Sequence, residues 1–211
     1  MHRFARRLAF HPLRLGLGLG LGLASTLTVG TSVGHAATPP AAAAATAAPA
    51  ARGGFQNDLV QQIQAVQKQV MALEDAMPAD KFGWRPDAGV RSVGEVYLHI
   101  AFANYLIGKL ATGKEPPADV HWEMNPQKWD KQTTDKAAIK KILEKSFAHA
   151  QETITAVPDA DLEKKISFFG KEMSERTAMM GLLAHASEHL GQSIAYARSN
   201  KITPPWSKKE K

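Results

Sequence analysis

Residues 92–112 read SVGEVYLHIAFANYLIGKLAT and determine the fold class of this chain. Ser92 is followed three residues later by Glu95, a capping box that predicts the start of a helix. Apolar side chains then occupy most sides of the helix up to about Thr112. A helix that is apolar nearly all round must be buried among other elements. The segment therefore predicts the central helix of an all-α bundle.

Three further helices are predicted by apolar residues that recur every three or four positions. They cover residues 59–77, about 136–157 and about 174–199. Pro78 and Pro158 end the first and the second of these, and Ser174 is a good N-cap for the last. Only residues 166–169 resemble a strand. Together with 92–112, these segments predict a four-helix bundle.

The connection over residues 113–134 is long for a compact domain and carries Trp122 and Trp129. Loops of this length are usually either functional or disordered. The two tryptophans favour an ordered crossover, and we expect them to form a wall or lid over a pocket.

Composition excludes several classes of protein. The 211 residues include no cysteine, which rules out disulfides, Cys-ligated zinc, iron–sulfur clusters and Cys nucleophiles. The net charge of +6 is concentrated at the N-terminus, since residues 1–36 contain four arginines and no acidic residue. The remaining chain is nearly neutral, so we expect no nucleic-acid partner.

Residues 1–36 have the layout of a secretory signal peptide. Basic residues from Arg3 to Arg14 precede an uncharged stretch, and Gly34-His35-Ala36 ends it with small residues at the −3 and −1 positions. Cleavage after Ala36 predicts a periplasmic or secreted protein with no membrane association afterwards. The alternative is an uncleaved anchor, because the uncharged stretch just reaches membrane-spanning length. Arg6-Arg7 leaves the twin-arginine route open beside the general one.

Residues 37–54 are rich in Ala, Pro and Thr and contain no bulky apolar side chain. Such a segment cannot build a core, so it is interpreted as a disordered tether. The working domain is then residues 55–211.

Three histidines lie in the two most apolar predicted helices. His185 and His189 are four residues apart, so both project from one helix face and are able to share a divalent ion. His99 would complete a three-His site of the catalytic zinc type if its helix is a neighbour of theirs. The alternative is that all three are ordinary, partly buried histidines. His121 and His149 are interpreted as solvated and as structural or exposed.

A second motif overlaps the first. His185-Ala186-Ser187-Glu188-His189 fits H-x-x-E-H, in which Glu188 would activate a zinc-bound water in a peptidase. The pattern is short, and the sequence offers no clear edge strand to hold a peptide.

Three stretches of the chain resemble the DinB/YfiT-like metalloenzyme family, the damage-inducible helical bundles. They are residues 84–99 with their terminal histidine, residues 183–192 with the pattern HxxxHxGQ, and the tail 196–206. The resemblance spans residues 55–206. It implies a four-helix bundle with a long crossover loop and a divalent metal, zinc or nickel, held by His99, His185 and His189.

The resemblance also implies an activity, because characterised relatives include transferases and isomerases that use low-molecular-weight thiols. Such thiols are scarce outside the cytoplasm, so a metal-activated water acting on a small molecule is an equal alternative. The sequence thus predicts an exported metal-dependent hydrolase or thiol-dependent transferase. A non-catalytic, stress-related metal-binding bundle is the competing interpretation, with the zinc peptidase as a third. A homodimer is compatible with each.

Supporting roles remain open for three residues. Glu95 lies one turn before His99 and is a candidate either for the helix cap or for a hydrogen bond from His99. Gln192 and Tyr196 either line the pocket or make polar contacts between helices.

Overall fold

The computed structural model describes residues 54–122 and 124–207. The predicted signal peptide 1–36 and nearly all of the predicted tether 37–54 lie outside the described residues. The first helix begins at Gly54, five residues before the apolar periodicity starts.

Four long helices form the domain, which confirms the all-α prediction. The long helices are α1 (Gly54–Ala76), α2 (Val93–Thr112), α4 (Lys136–Ala156) and α5 (Glu175–Ser199), and a short helix, α3 (Pro126–Trp129), lies between α2 and α4. The helices predicted over 136–157 and 174–199 are therefore α4 and α5. The extra helix, α3, is a single turn inside the crossover between α2 and α4.

Local sequence sets the ends of these helices. The capping box is present at α2, where the Ser92 side chain accepts from the Glu95 backbone and the Glu95 carboxylate accepts from the Ser92 backbone. At α4 and α5 the side chains of Asp135 and Ser174 each accept a hydrogen bond from the backbone N–H three residues further on. Gly113 ends α2 with φ of 74°, a left-handed conformation that glycine adopts without strain.

The packing order of the long helices differs from their order along the chain. Helix α2 packs against α4 and α5, and α1 packs against the same two helices. Consequently α1 and α2 lie across the bundle from each other, as do α4 and α5. The core between them is continuous, and its fully buried side chains come from all four helices.

A β-hairpin interrupts the connection between α4 and α5. Strand β1 (Lys165–Phe168) pairs antiparallel with β2 (Lys171–Ser174) through a two-residue turn. Phe169 and Gly170 both have positive φ, as tight hairpin turns of this type require. The sequence indicated only the first strand, because Lys-Glu-Met-Ser shows no alternation of apolar and polar residues.

No helix within residues 54–122 and 124–207 combines the length and the hydropathy needed to cross a membrane.

The core contains one carboxylate without a hydrogen-bond partner. Glu74 on α1 is fully buried, and neither of its carboxylate oxygens accepts a hydrogen bond from the described residues. Burial raises the pKa of Glu74 from 4.5 to about 7, and the charge of Asp75 adds to this, while Lys136 and Lys140 oppose it. The neighbouring Tyr97 hydroxyl is also buried, and no hydrogen bond of good geometry reaches it from the described residues.

We expect Glu74 to make the free energy of unfolding fall as pH rises from about 4.5 to about 7. In that window the folded state binds more protons at Glu74 than the unfolded state does, so stability decreases with increasing pH. Glu74→Gln removes this dependence. At pH 7.5 the variant should be more stable by about 1–3 kcal/mol, since the buried unpaired charge is gone.

Urea unfolding of both proteins between pH 4.5 and 8 measures the effect. The difference between the two curves isolates Glu74 from other titrating groups. Glu163→Gln is the matched control, because it is the same substitution at an exposed glutamate that forms a surface ion pair with Arg176. Parallel curves for wild type and Glu74→Gln would refute the prediction.

Candidate metal centre

Helix α2 carries His99 at the edge of the core. Its sequence neighbours Leu98 and Ile100 are completely buried, whereas the His99 side chain keeps 15% exposure. His185 and His189 lie one turn apart on α5, half-buried and buried respectively. Because α2 packs against α5, the three side chains point into one space.

The three imidazoles are in mutual contact. Each offers a ring nitrogen, and these three atoms lie within 4.8 Å of one another. The ring centroids of His185 and His189 are 4.4 Å apart, and that of His99 lies 5.1 and 4.9 Å from them. The sequence left open whether the helix of His99 is a neighbour of the helix of His185 and His189. In the structure these two helices, α2 and α5, pack against each other.

Burial keeps the two α5 histidines neutral. Burial, together with the charges of the neighbouring His189 and His99, lowers the pKa of His185 from 6.5 to about 3. Burial also lowers the pKa of His189, whereas the hydrogen bond that His189 donates to Gln192 raises it. Neutral imidazole is the form that binds metal ions.

A chain of hydrogen bonds fixes the orientation of His189. The His189 Nδ1 donates to the Gln192 side-chain oxygen at 2.7 Å, and the Gln192 amide nitrogen donates to the Tyr196 hydroxyl at 3.0 Å. Tyr196 in turn donates to the backbone oxygen of Arg91 at 3.1 Å. With Nδ1 committed as a donor, the lone pair of His189 is on Nε2.

Asp130 links His99 to the crossover. Its Oδ2 accepts from Arg91 Nε at 2.7 Å, and its Oδ1 lies 3.4 Å from His99 Nδ1. Neither His99 Nδ1 nor Asp130 Oδ1 has a hydrogen-bond partner among the described residues. A carboxylate beside the second nitrogen of a histidine is the arrangement that orients metal-bound imidazoles.

Helix α3 positions this carboxylate. Asn125 caps the turn, and Pro126 begins it with a φ suited to the first helical position. Trp129 is buried, and its Nε1 donates to the backbone oxygen of Leu98 at 2.9 Å. Asp130 follows directly and is thereby held one residue from the point where the crossover is attached to α2.

An open cavity of about 600 Å³ lies next to the residues that contact the histidines: no histidine lines it, but Asp130 and Gln192, the neighbours of His99 and His189, do. It shares Arg91, Asp130 and Gln192 with the contacts described above. Its walls are formed by Arg85, Gly89, Val90, Arg91, Glu95, Gln127, Asp130, Lys131 and Gln192. A small molecule in this cavity would lie within reach of a group bound to the histidines.

A family model for the DinB superfamily matches residues 62–193, which includes all three histidines. The chain belongs to the DinB superfamily. Among curated proteins, none is a significant match.

Solved structures of DinB-like proteins share the fold. A DinB-like protein from Bacillus cereus aligns with a TM-score of 0.56 at 23% identity, covering 72% of this chain and 94% of its own. A DinB-like protein from Bacillus subtilis gives 0.54 at 18%, covering 73% and 100%. A DinB-family member from Exiguobacterium sibiricum gives 0.53 at 18%, covering 76% and 98%. At these identities the likeness establishes the fold of the superfamily.

The sequence left two roles open for each of Glu95, Gln192 and Tyr196, and the structure of this DinB-superfamily chain decides between them. Glu95 serves as the helix cap and pairs with Arg85 at 3.1 Å, so Asp130 and not Glu95 stands beside His99. Sequence analysis missed Asp130, because it lies 31 residues from His99 in a loop. Gln192 and Tyr196 form the hydrogen-bond chain to His189.

The other two histidines within the described residues, His121 and His149, lie outside the group of three. His121 is exposed, as expected. His149 is buried beside Tyr105 and lies 3.5 Å from the Thr153 hydroxyl, which makes it structural. Glu188 is exposed and lies outside the group of three histidines.

We expect Trp129→Phe to lower the free energy of unfolding by about 1–2 kcal/mol, since it deletes a buried hydrogen bond that attaches the crossover to α2. Thermal unfolding by circular dichroism measures the loss. Trp122→Phe is the control: it likewise replaces a tryptophan packed in the crossover, but the Trp122 Nε1 is buried without a partner among the described residues, so no hydrogen bond is lost and the cost should be smaller. Equal losses in the two variants would contradict the prediction.

Proposed function

We propose that His99, His185 and His189 hold one divalent metal ion, zinc or nickel, and that the protein is an exported metal-dependent enzyme acting on a small molecule. The observation that carries the proposal is the convergence of three imidazole nitrogens within 4.8 Å of one another, with a cavity nearby that is lined by Asp130 and Gln192. The reaction is a hydrolysis or a thiol-dependent transfer.

The donor set suits such an ion. Burial favours the neutral form of His185 and His189, and the contact with Gln192 leaves His189 Nε2 free. Among the described residues the group contains three histidines and no carboxylate. Three protein ligands are typical of catalytic zinc, where a fourth position stays open. The ion would act as a Lewis acid that lowers the pKa of a water or thiol bound to it.

The chain's own residues orient the site and admit the substrate. Gln192 and Tyr196 hold the His189 ring, and Asp130 stands beside the His99 ring. The cavity walls combine charged side chains with the partly exposed Val90, which suits a small molecule that is polar at one end.

Two features favour this function over its alternatives. The cavity beside the histidines gives a substrate a place, which a purely structural metal does not need. The peptidase interpretation requires Glu188 next to the ion, yet Glu188 is exposed outside the group. The leader-like composition of residues 1–36 supports export, which disfavours cytoplasmic thiols as co-substrates.

Metal analysis of the purified full chain tests the proposal. We expect close to one equivalent of zinc or nickel in wild type and a loss of it in His99→Ala and in His185→Ala. His121→Asn is the matched control, because this exposed histidine has a left-handed backbone that asparagine tolerates. Circular dichroism verifies that each variant is folded. Folded wild type without metal after reconstitution would refute the site.

Asp130→Asn should weaken metal affinity by about 10- to 100-fold while the fold is retained, since it removes the carboxylate charge beside His99. Competition against a chromophoric chelator measures the affinity. Asp119→Asn is the control, because Asp119 forms only an exposed ion pair with Lys145. Unchanged affinity in Asp130→Asn would exclude a role for this carboxylate.

A further inference from the structure

The cavity beside the histidines has an excess of positive charge. Five charged side chains line it, and four of them form two pairs. Arg85 pairs with Glu95 at 3.1 Å, and Arg91 pairs with Asp130 at 2.7 Å. The Lys131 side chain is exposed and forms no ion pair or hydrogen bond with the described residues. One cation in the wall is therefore uncompensated before any metal charge is added.

Arg91 also keeps donors available. Only its Nε is used in the contact with Asp130, and its side chain is 35% exposed. Its two terminal nitrogens make no hydrogen bond to the described part of the chain. A guanidinium presents a planar fork of donors that matches carboxylate and phosphate oxygens. The contact of Nε with Asp130 orients the guanidinium and leaves its two terminal nitrogens available to donate to an anion.

The position of Arg91 connects this surface to the histidines. Its Nε donates to Asp130 at 2.7 Å, and the other oxygen of that carboxylate lies 3.4 Å from His99 Nδ1. Its backbone oxygen accepts the hydrogen bond from Tyr196 that ends the chain to His189. An anion held by Arg91 would thus lie beside the histidine centre.

We propose that the substrate of this site is an anionic small molecule, whose carboxylate or phosphate group is bound by Arg91 and Lys131 in the cavity. The inference rests on the proposed function in so far as it calls the bound molecule a substrate. The anion-binding surface itself is formed by side chains of this chain and does not require the metal. Arg85 is a wall residue and not an anion ligand, because its terminal nitrogens already donate to Val90 and Glu95.

The test measures binding of four aromatic probes of similar size to the full-length protein at constant ionic strength. Phenylphosphonate and benzoate carry negative charge, benzyl alcohol is neutral and benzamidinium is positive. We expect titration calorimetry to detect the two anions and neither of the others, with affinity that falls as salt increases. Comparison of the two anions shows which of the two groups the cavity prefers.

Variants at Lys131 localise the binding. Lys131→Met should weaken the preferred anion roughly three- to tenfold and Lys131→Glu more than tenfold, as expected for the loss and the reversal of one partly exposed charge. Lys131 is exposed, so neither change should disturb the fold. Lys68→Glu is the matched control, because it makes the same charge change on α1 in a separate groove. It should leave affinity unchanged.

Each titration is made with metal-loaded protein and again after chelation, which separates this inference from the proposed function. Lys131-dependent anion binding in both forms supports the anion site, and it does so even if metal analysis finds no ion. Anion binding that requires the metal and is unaffected by Lys131→Glu is ligation to the ion alone and overturns the inference. Equal binding of the neutral and anionic probes also overturns it.

Discussion

Helix α2 is apolar on nearly all of its sides, and its burial constrains the rest of the structure. A fully buried Leu or Ile side chain stabilises the folded state by about 1.5–3 kcal/mol, and α2 carries several of them, including Leu98 and Ile100. The helix is enclosed by α4 and α5 and faces α1 across the bundle. That enclosure brings His99 against the histidine pair of α5. The histidine centre is therefore a consequence of how the core is closed.

The crossover between α2 and α4 is part of the same core. Trp129 is buried and hydrogen-bonded to Leu98, one residue before His99 on the helix. This attachment also fixes Asp130, whose carboxylate lies between Arg91 and His99. The crossover loop thus places a carboxylate beside the histidine centre. Long ordered loops in compact domains commonly have such functional roles.

Polar groups in this core fall into two kinds. Those around His189 form a continuous chain through Gln192 and Tyr196, in which each donor has an acceptor. Glu74 and the Tyr97 hydroxyl, by contrast, are buried, and no hydrogen bond of good geometry reaches them from the described residues. A satisfied network holds side chains in one orientation, whereas an unpaired buried carboxylate destabilises the fold by its desolvation. The buried Glu74 carboxylate therefore lowers the stability of the bundle, whereas the hydrogen-bond chain through Gln192 and Tyr196 holds the His189 ring in one orientation.

The sequence by itself determined the four long helices, their caps and the three histidines of interest, because helix periodicity and capping depend on residues three or four positions apart. It also identified His185 and His189 as one pair, since they share a helix face. Only the tertiary structure decided that His99 joins them, that Asp130 and not Glu95 stands beside His99, and that a second strand follows the first. For the two contacts of His99 the physical reason is distance along the chain: they join residues tens of positions apart, and the packing of α2 against α5 and of Trp129 against α2 brings them together. The second strand pairs locally, and the sequence does not indicate it because Lys171–Ser174 shows no alternation of apolar and polar residues.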